Sequence, residues 1–153
     1  MPSEVARIRS LLARTYEGDA WHGPSVCTVL DALSASQALR LINNSHNAAE
    51  LVHHMTAWRN FVIQRLTGDA AYELSEAQDW SVISQLTDAH WQEARRALDQ
   101  SQQKLLDLLE HLPEAHLDKT VAYRSYNYYI LLHGSIHHDL YHLGQIRLLA
   151  KFC

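Results

Sequence analysis

The stretch HHDLYHLGQI, residues 137–146, places three histidines within six positions. Two more, His53 and His54, stand side by side far upstream, and no zinc-finger cysteines accompany any of them. Which of these rings share a helix face decides both the fold and the chemistry. The helical pattern that carries the stretch starts after Ser125 and continues to the C-terminus. At about 100° per residue, His133, His137, Gly144, Arg147 and Lys151 fall on one arc. That arc holds the basic residues and is expected to face water. His138 and His142 fall on another side with Leu131, Ile146 and Leu149. Being four residues apart, they stand one above the other on an inward face. Gln145 extends the same stripe.

Three further helical patterns precede this one. The first runs from about Ser3, an N-cap candidate with Glu4 in the first turn, to about Gly18. The second begins near Ser45 and ends near Leu66. The third begins after Thr87 and stops at His111 or Leu112, before Pro113. A breaker-rich turn, AWHGPS, follows the first helix, then a short helix over about Ser25 to Leu33 and a helical turn over Ser36 to Leu41. Residues 67–84 form a long connection, and residues 116–124 a short link with some β-branched character. Four long helices with little strand signal predict an all-α four-helix bundle. Long connections after the first and second helices mean that a simple up-down-up-down order is not required.

Composition agrees with a globular chain. Its 153 residues are expected to form a single domain over 1–153, with 47% hydrophobic residues and a formal net charge of −4. Mixed charge gives no electrostatic footprint for nucleic acid or an anionic membrane. No apolar run approaches a bilayer span, and the charged, helical N-terminus is unlike a signal peptide. Cys27 and Cys153 form no CxxC pair, so the expectation is a reduced, cytoplasmic protein.

On the second helix, His54 shares a face with Leu51, Trp58 and Phe61, while His53 lies toward Ala49, Thr56 and Asn60. His54 is therefore expected inside and His53 toward water. Two inward imidazoles at i, i+4 and a third from another helix would make a three-histidine metal site with positions left open for reactants. Neutral imidazole suits Zn, Ni and Fe. An HxxxH pair also arises by chance among 11 histidines, so spacing alone leaves a satisfied core reading open.

HDLYHLGQIRLL resembles the C-terminal H-x-x-x-H-x-G-Q motif of the DinB/YfiT-like family of metal-dependent bundle enzymes. AWHGPSVCTVLDAL is similar to that family's turn and short helix, and SHNAAELVHHMTAWRNFVIQRLTGD to its ligand-bearing helix. Asp79 and Trp80, then the helix from Trp91, follow in the expected order. The resemblance implies His54, His138 and His142 as ligands to one divalent metal ion, Zn or Ni foremost, with Fe or Mn also compatible. It further implies thiol-S-transfer or hydrolysis on a small molecule, use of a low-molecular-weight thiol, and a homodimer.

Several other residues fit either function or architecture. His22 and Trp21 could line the mouth of the site, or simply pack at the bundle end. Glu50 and His46, on the His54 face, are acid–base candidates. Gln145 could bond a ligand histidine. Gly144 would let a neighbouring helix approach. Asp139 suits a salt bridge better than a ligand-orienting role. Cys27 reads as an inert buried thiol, Cys153 as a frayed end, and Trp58, Trp91, Tyr128 and Tyr129 as core or dimer-interface aromatics. Two rival readings exist. One is a di-iron carboxylate bundle built on Glu50-x-x-His53 and Asp139-x-x-His142, with Glu4, Glu17 and Glu93. The other is a non-catalytic metal-binding or stress-response scaffold.

Overall fold

Each long helix starts where a polar side chain takes up a backbone N–H that the helix itself cannot satisfy. In the computed structural model, which describes residues 1–152, Ser3 caps α1 (Glu4–Glu17) and Asn47 caps α4 (Ala48–Thr67). Thr87 caps α6 (Asp88–Glu110), and Asn127 caps α7 (Tyr128–Lys151). Three short helices complete the set: α2 (Val26–Asp31), α3 (Ala35–Ala38) and α5 (Glu76–Asp79). Among the described residues there is no strand, only an isolated bridge between Thr120 and Asn127. The β-branched link thus yields one bridge and a 3-10 turn over Glu114–His116.

The second long helix begins at Ala48 and not near Ser45. The reason is a capping box. Asn47 accepts from the Glu50 N–H, and the Glu50 carboxylate accepts from the Asn47 N–H. The connection expected over 67–84 contains α5. Gly68 ends α4 in the left-handed region, where its N–H reaches the Gln64 carbonyl. Gly144 admits no neighbouring helix: it is exposed, and a Cβ there would meet nothing within 4 Å. Cys153 lies outside the described residues.

α4 packs against α6 and α7, and α1 packs against the same two. The ring order is α1, α6, α4, α7. Consecutive long helices α1 and α4 therefore face each other across a diagonal, as do α6 and α7. The long connection through α2 and α3 makes the first of these crossings. It also places Val26, Leu30 and Leu33 over the bundle end, where the Trp91 indole donates to the Leu33 carbonyl at 2.9 Å.

The apolar interior consists of two clusters. One contains α2, α3 and parts of α4, α6 and α7, including Leu51, Met55, Trp91, Leu98 and Ile146. The other is built from α1 with further parts of α4, α6 and α7, including Ile8, Leu12, Phe61, Leu105 and Leu132. Arg59 belongs to neither and is 1% exposed. Its guanidinium donates to Asp139 on α7 and to Gln102 on α6, and it lies over the Tyr16 ring of α1. Gln102 in turn donates to the Leu12 carbonyl of α1 at 3.1 Å. One side chain of α4 thereby links all four long helices. Asp139, expected to form a salt bridge, does so in the interior.

Removing one partner of such a pair strands the other charge, which costs about 3–5 kcal/mol. Arg59→Met is expected to lower unfolding free energy in urea by about that much. Arg59→Met combined with Asp139→Leu should regain most of it, because no uncompensated charge then remains.

Candidate metal centre

His54 reaches the interior from α4, and His138 and His142 from successive turns of α7. His54 and His142 are buried, and His138 is half-buried. The Nε2 atoms converge: His138 Nε2 lies 3.0 Å from His54 Nε2 and 3.1 Å from His142 Nε2. His53 and His137, their sequence neighbours, are exposed, as the helix-face argument requires.

Two of the rings are anchored from behind. His54 Nδ1 lies 2.8 Å from the Asp79 carbonyl oxygen and 3.0 Å from Asp79 Oδ1. Both are acceptors when the carboxyl is ionised, so Nδ1 carries the proton and Nε2 presents a lone pair. Trp58 Nε1–H donates to the same Oδ1 at 2.7 Å and holds the carboxylate in place. His142 Nδ1 lies 2.6 Å from Gln145 Oε1, which fixes that ring in the same sense. His138 Nε2–H can donate to only one of the two lone pairs facing it. Without a cation, the other stays opposed to a nitrogen about 3 Å away.

That donor set fits a divalent cation. Nitrogens at the usual 2.0–2.1 Å from Zn, at octahedral or tetrahedral angles, are separated by about 2.9–3.4 Å. The three histidines are thus placed so that they could hold one metal ion. Burial and the neighbouring rings push the His138 imidazole down to about 3, and Arg59 adds to the shift. Burial also lowers His142, against a smaller upward pull from Gln145. Both effects keep the rings neutral, the form that ligates metals.

A family model, the DinB superfamily, matches residues 20–146. The chain belongs to this superfamily. No curated protein and no solved structure matches it. Within the DinB match lie all three clustered histidines and the segment that delivers Asp79.

The remaining candidates are placed as follows. Gln145 bonds His142. Glu50 is buried, and both its oxygens are engaged: Oε2 with the Asn47 N–H and His46 Nδ1, and Oε1 with the Ile83 N–H at 2.9 Å. It therefore pins the connection that carries Asp79. His22 is exposed in the turn after α1, beside a large groove walled by Trp21, Ile136 and Leu140 that contains none of the three histidines. The carboxylates a di-iron site needs do not gather: Glu50 caps α4, Asp139 pairs with Arg59, and His53 is exposed. Sequence reasoning gave no role to Asp79, Trp80 or Trp58 in the site. Trp80 stacks on both His54 and His46, with ring centroids 3.8 Å apart in each case. Only the spacing of Asp79 and Trp80 relative to the histidine helix could have signalled this, because they sit on a connection that periodicity does not describe.

Two outcomes follow for the metal-free protein. His138 and His142 bind fewer protons when folded than when unfolded. Their contribution to stability is present above the unfolded value, about 6.5, and is lost as pH falls toward the folded one. With chelator present, the urea midpoint should drop between pH 6.5 and 4, and less steeply in His138→Gln. Glu50→Ala should raise amide exchange at Ile83 and cost about 1–3 kcal/mol in urea unfolding.

Proposed function

We propose that His54, His138 and His142 bind one divalent metal ion, Zn or Ni foremost, and that the protein is a metal-dependent enzyme acting on a small molecule. The observation that carries this reading is the convergence of three Nε2 atoms with two Nδ1 atoms tied back to Asp79 and Gln145. A cation in such a site supplies Lewis acidity and lowers the pKa of a coordinated thiol or water, which makes a nucleophile available at neutral pH. Thiol-S-transfer from a low-molecular-weight thiol to an electrophile, or hydrolysis, are the reactions this chemistry serves.

The chain's own residues divide the remaining tasks. Asp79 and Trp58 set the tautomer and aim of His54. Gln145 does the same for His142. Trp80 covers a face of His54. A mostly apolar cleft of about 250 Å³ opens beside His138. Trp80 on one side and a cleft bordered by His138 on the other support an enzyme over a scaffold whose metal is sealed by packed side chains.

Elemental analysis of untagged protein should find about one equivalent of metal per chain. His138→Ala should abolish it, and His137→Ala should not. Asp79→Ala should keep the three ligands but weaken affinity about 10–100-fold in competition with a chelator. Turnover is then tested by presenting the metal-loaded protein with thiols and electrophiles, and separately with esters and amides. Metal-free protein from a metal-sufficient culture would overturn the reading.

A further inference from the structure

Gly134 lies in the interior of α7, one turn before His138. Glycine there costs about 0.5–1 kcal/mol relative to alanine. Neither of the usual reasons for it applies. Gly134 is not among the residues with positive φ, and a Cβ would meet no atom within 4 Å. What an added side chain would enter is the cleft between α4 and α7, whose wall Gly134 shares with His138.

We propose that this cleft binds the apolar body of an uncharged small molecule, a single substituted ring in size, and that Gly134 is the residue that keeps it open. Met55, Trp58 and Val62 of α4 face Ile130 and Leu131 of α7 across it. Ile130 is 55% exposed, an apolar side chain left in water at the rim. Its two charged groups, Arg59 and Asp139, are paired with each other and carry no net charge, with only the Arg59 Nε–H left unpartnered. A carboxylate or ammonium entering the cleft would lose water without gaining a free counter-charge. The size is consistent with this ligand class. An apolar cavity of about 150 Å³ holds benzene, so about 250 Å³ takes a ring with a substituent. Ser135, also in the wall and three residues before His138, carries a hydroxyl that can orient the polar end. The proposal deepens the metal reading, since the ring's reactive substituent would lie at the His138 end. Occupancy of the cleft by the ring does not itself require metal.

The test uses benzyl alcohol, benzoate and benzylammonium as matched neutral, anionic and cationic probes. They are titrated into the intact protein, with and without metal, while the four Trp indole N–H resonances are followed by NMR. In the metal-free protein benzyl alcohol is expected to shift Trp58 saturably, with both charged probes at least tenfold weaker. Gly134→Ala, which puts one methyl into the cleft, should weaken binding measurably but less than the larger substitutions. Gly134→Phe and the smaller Gly134→Leu should lose at least tenfold while keeping the parent circular dichroism and metal content. Equal binding of the charged probes to the metal-free protein, shifts centred on Trp21, or unchanged binding in folded Gly134→Phe or Gly134→Leu would overturn it. Failure to find metal with cleft binding intact would instead count against the metal reading alone.

Discussion

Arg59 sets the frame on which the rest of the molecule depends. A guanidinium held out of water between two apolar clusters draws its partners from the protein: Asp139 and Gln102 accept from its two terminal nitrogens and the Tyr16 ring lies beneath it, while its Nε–H has no partner. Such a pair contributes little net stability compared with well-packed apolar residues, so its effect here is to specify register. The register it fixes is the one that matters for the histidines. Arg59 lies about a turn and a half beyond His54 on α4, and Asp139 is the residue after His138 on α7. Sliding α4 along α7 by one turn would both separate the ion pair and carry His54 about 5 Å from its two partners.

A second constraint acts from outside the bundle. The connection between α4 and α6 would be free to move if only its ends were held. Instead the first turn of α4 grips it at Ile83, whose N–H donates to Glu50 and whose carbonyl accepts from Asn47 at 2.9 Å. The residues that start α4 are therefore also those that hold the loop bearing Asp79 and Trp80. Local helix chemistry and the orientation of His54 are coupled through one short segment, and the burial of Glu50 reflects this attachment.

The parts of this structure visible in the sequence are those governed by helical period. The faces of α4 and α7 follow from residue spacing, and so do the burial of His54 and His142 and the exposure of His53 and His137. Caps at Ser3, Thr87 and Gly18 were legible because they depend on neighbours in the chain. The start of α4 is ambiguous in sequence because Ser45 and Asn47 are both favoured cap residues. The reciprocal bond from Glu50 selects Asn47. Asp79, Trp80 and Trp58 could not be placed in the site by the same means. Their roles depend on where an irregular segment folds back, which no period encodes. Gly144 misled for a related reason: a missing side chain signals a close approach only if another helix lies opposite, and α7 meets water at that point.

The three histidines are not equivalent in burial or in anchoring. His54 and His142 are buried and tied at Nδ1, and Trp80 lies between His54 and His46 as a stacked lid. His138 is the half-buried ring, and it is the one that borders the apolar cleft. Anchored donors are needed on the side where movement would disperse the ligands. The Arg59–Asp139 pair, adjoining His138 in sequence and lining the same cleft, then has a second consequence. It gives the cleft an inner wall whose two charged side chains are paired with each other. The ion pair that joins α4 to α7 is thus also part of the wall of the cleft beside His138.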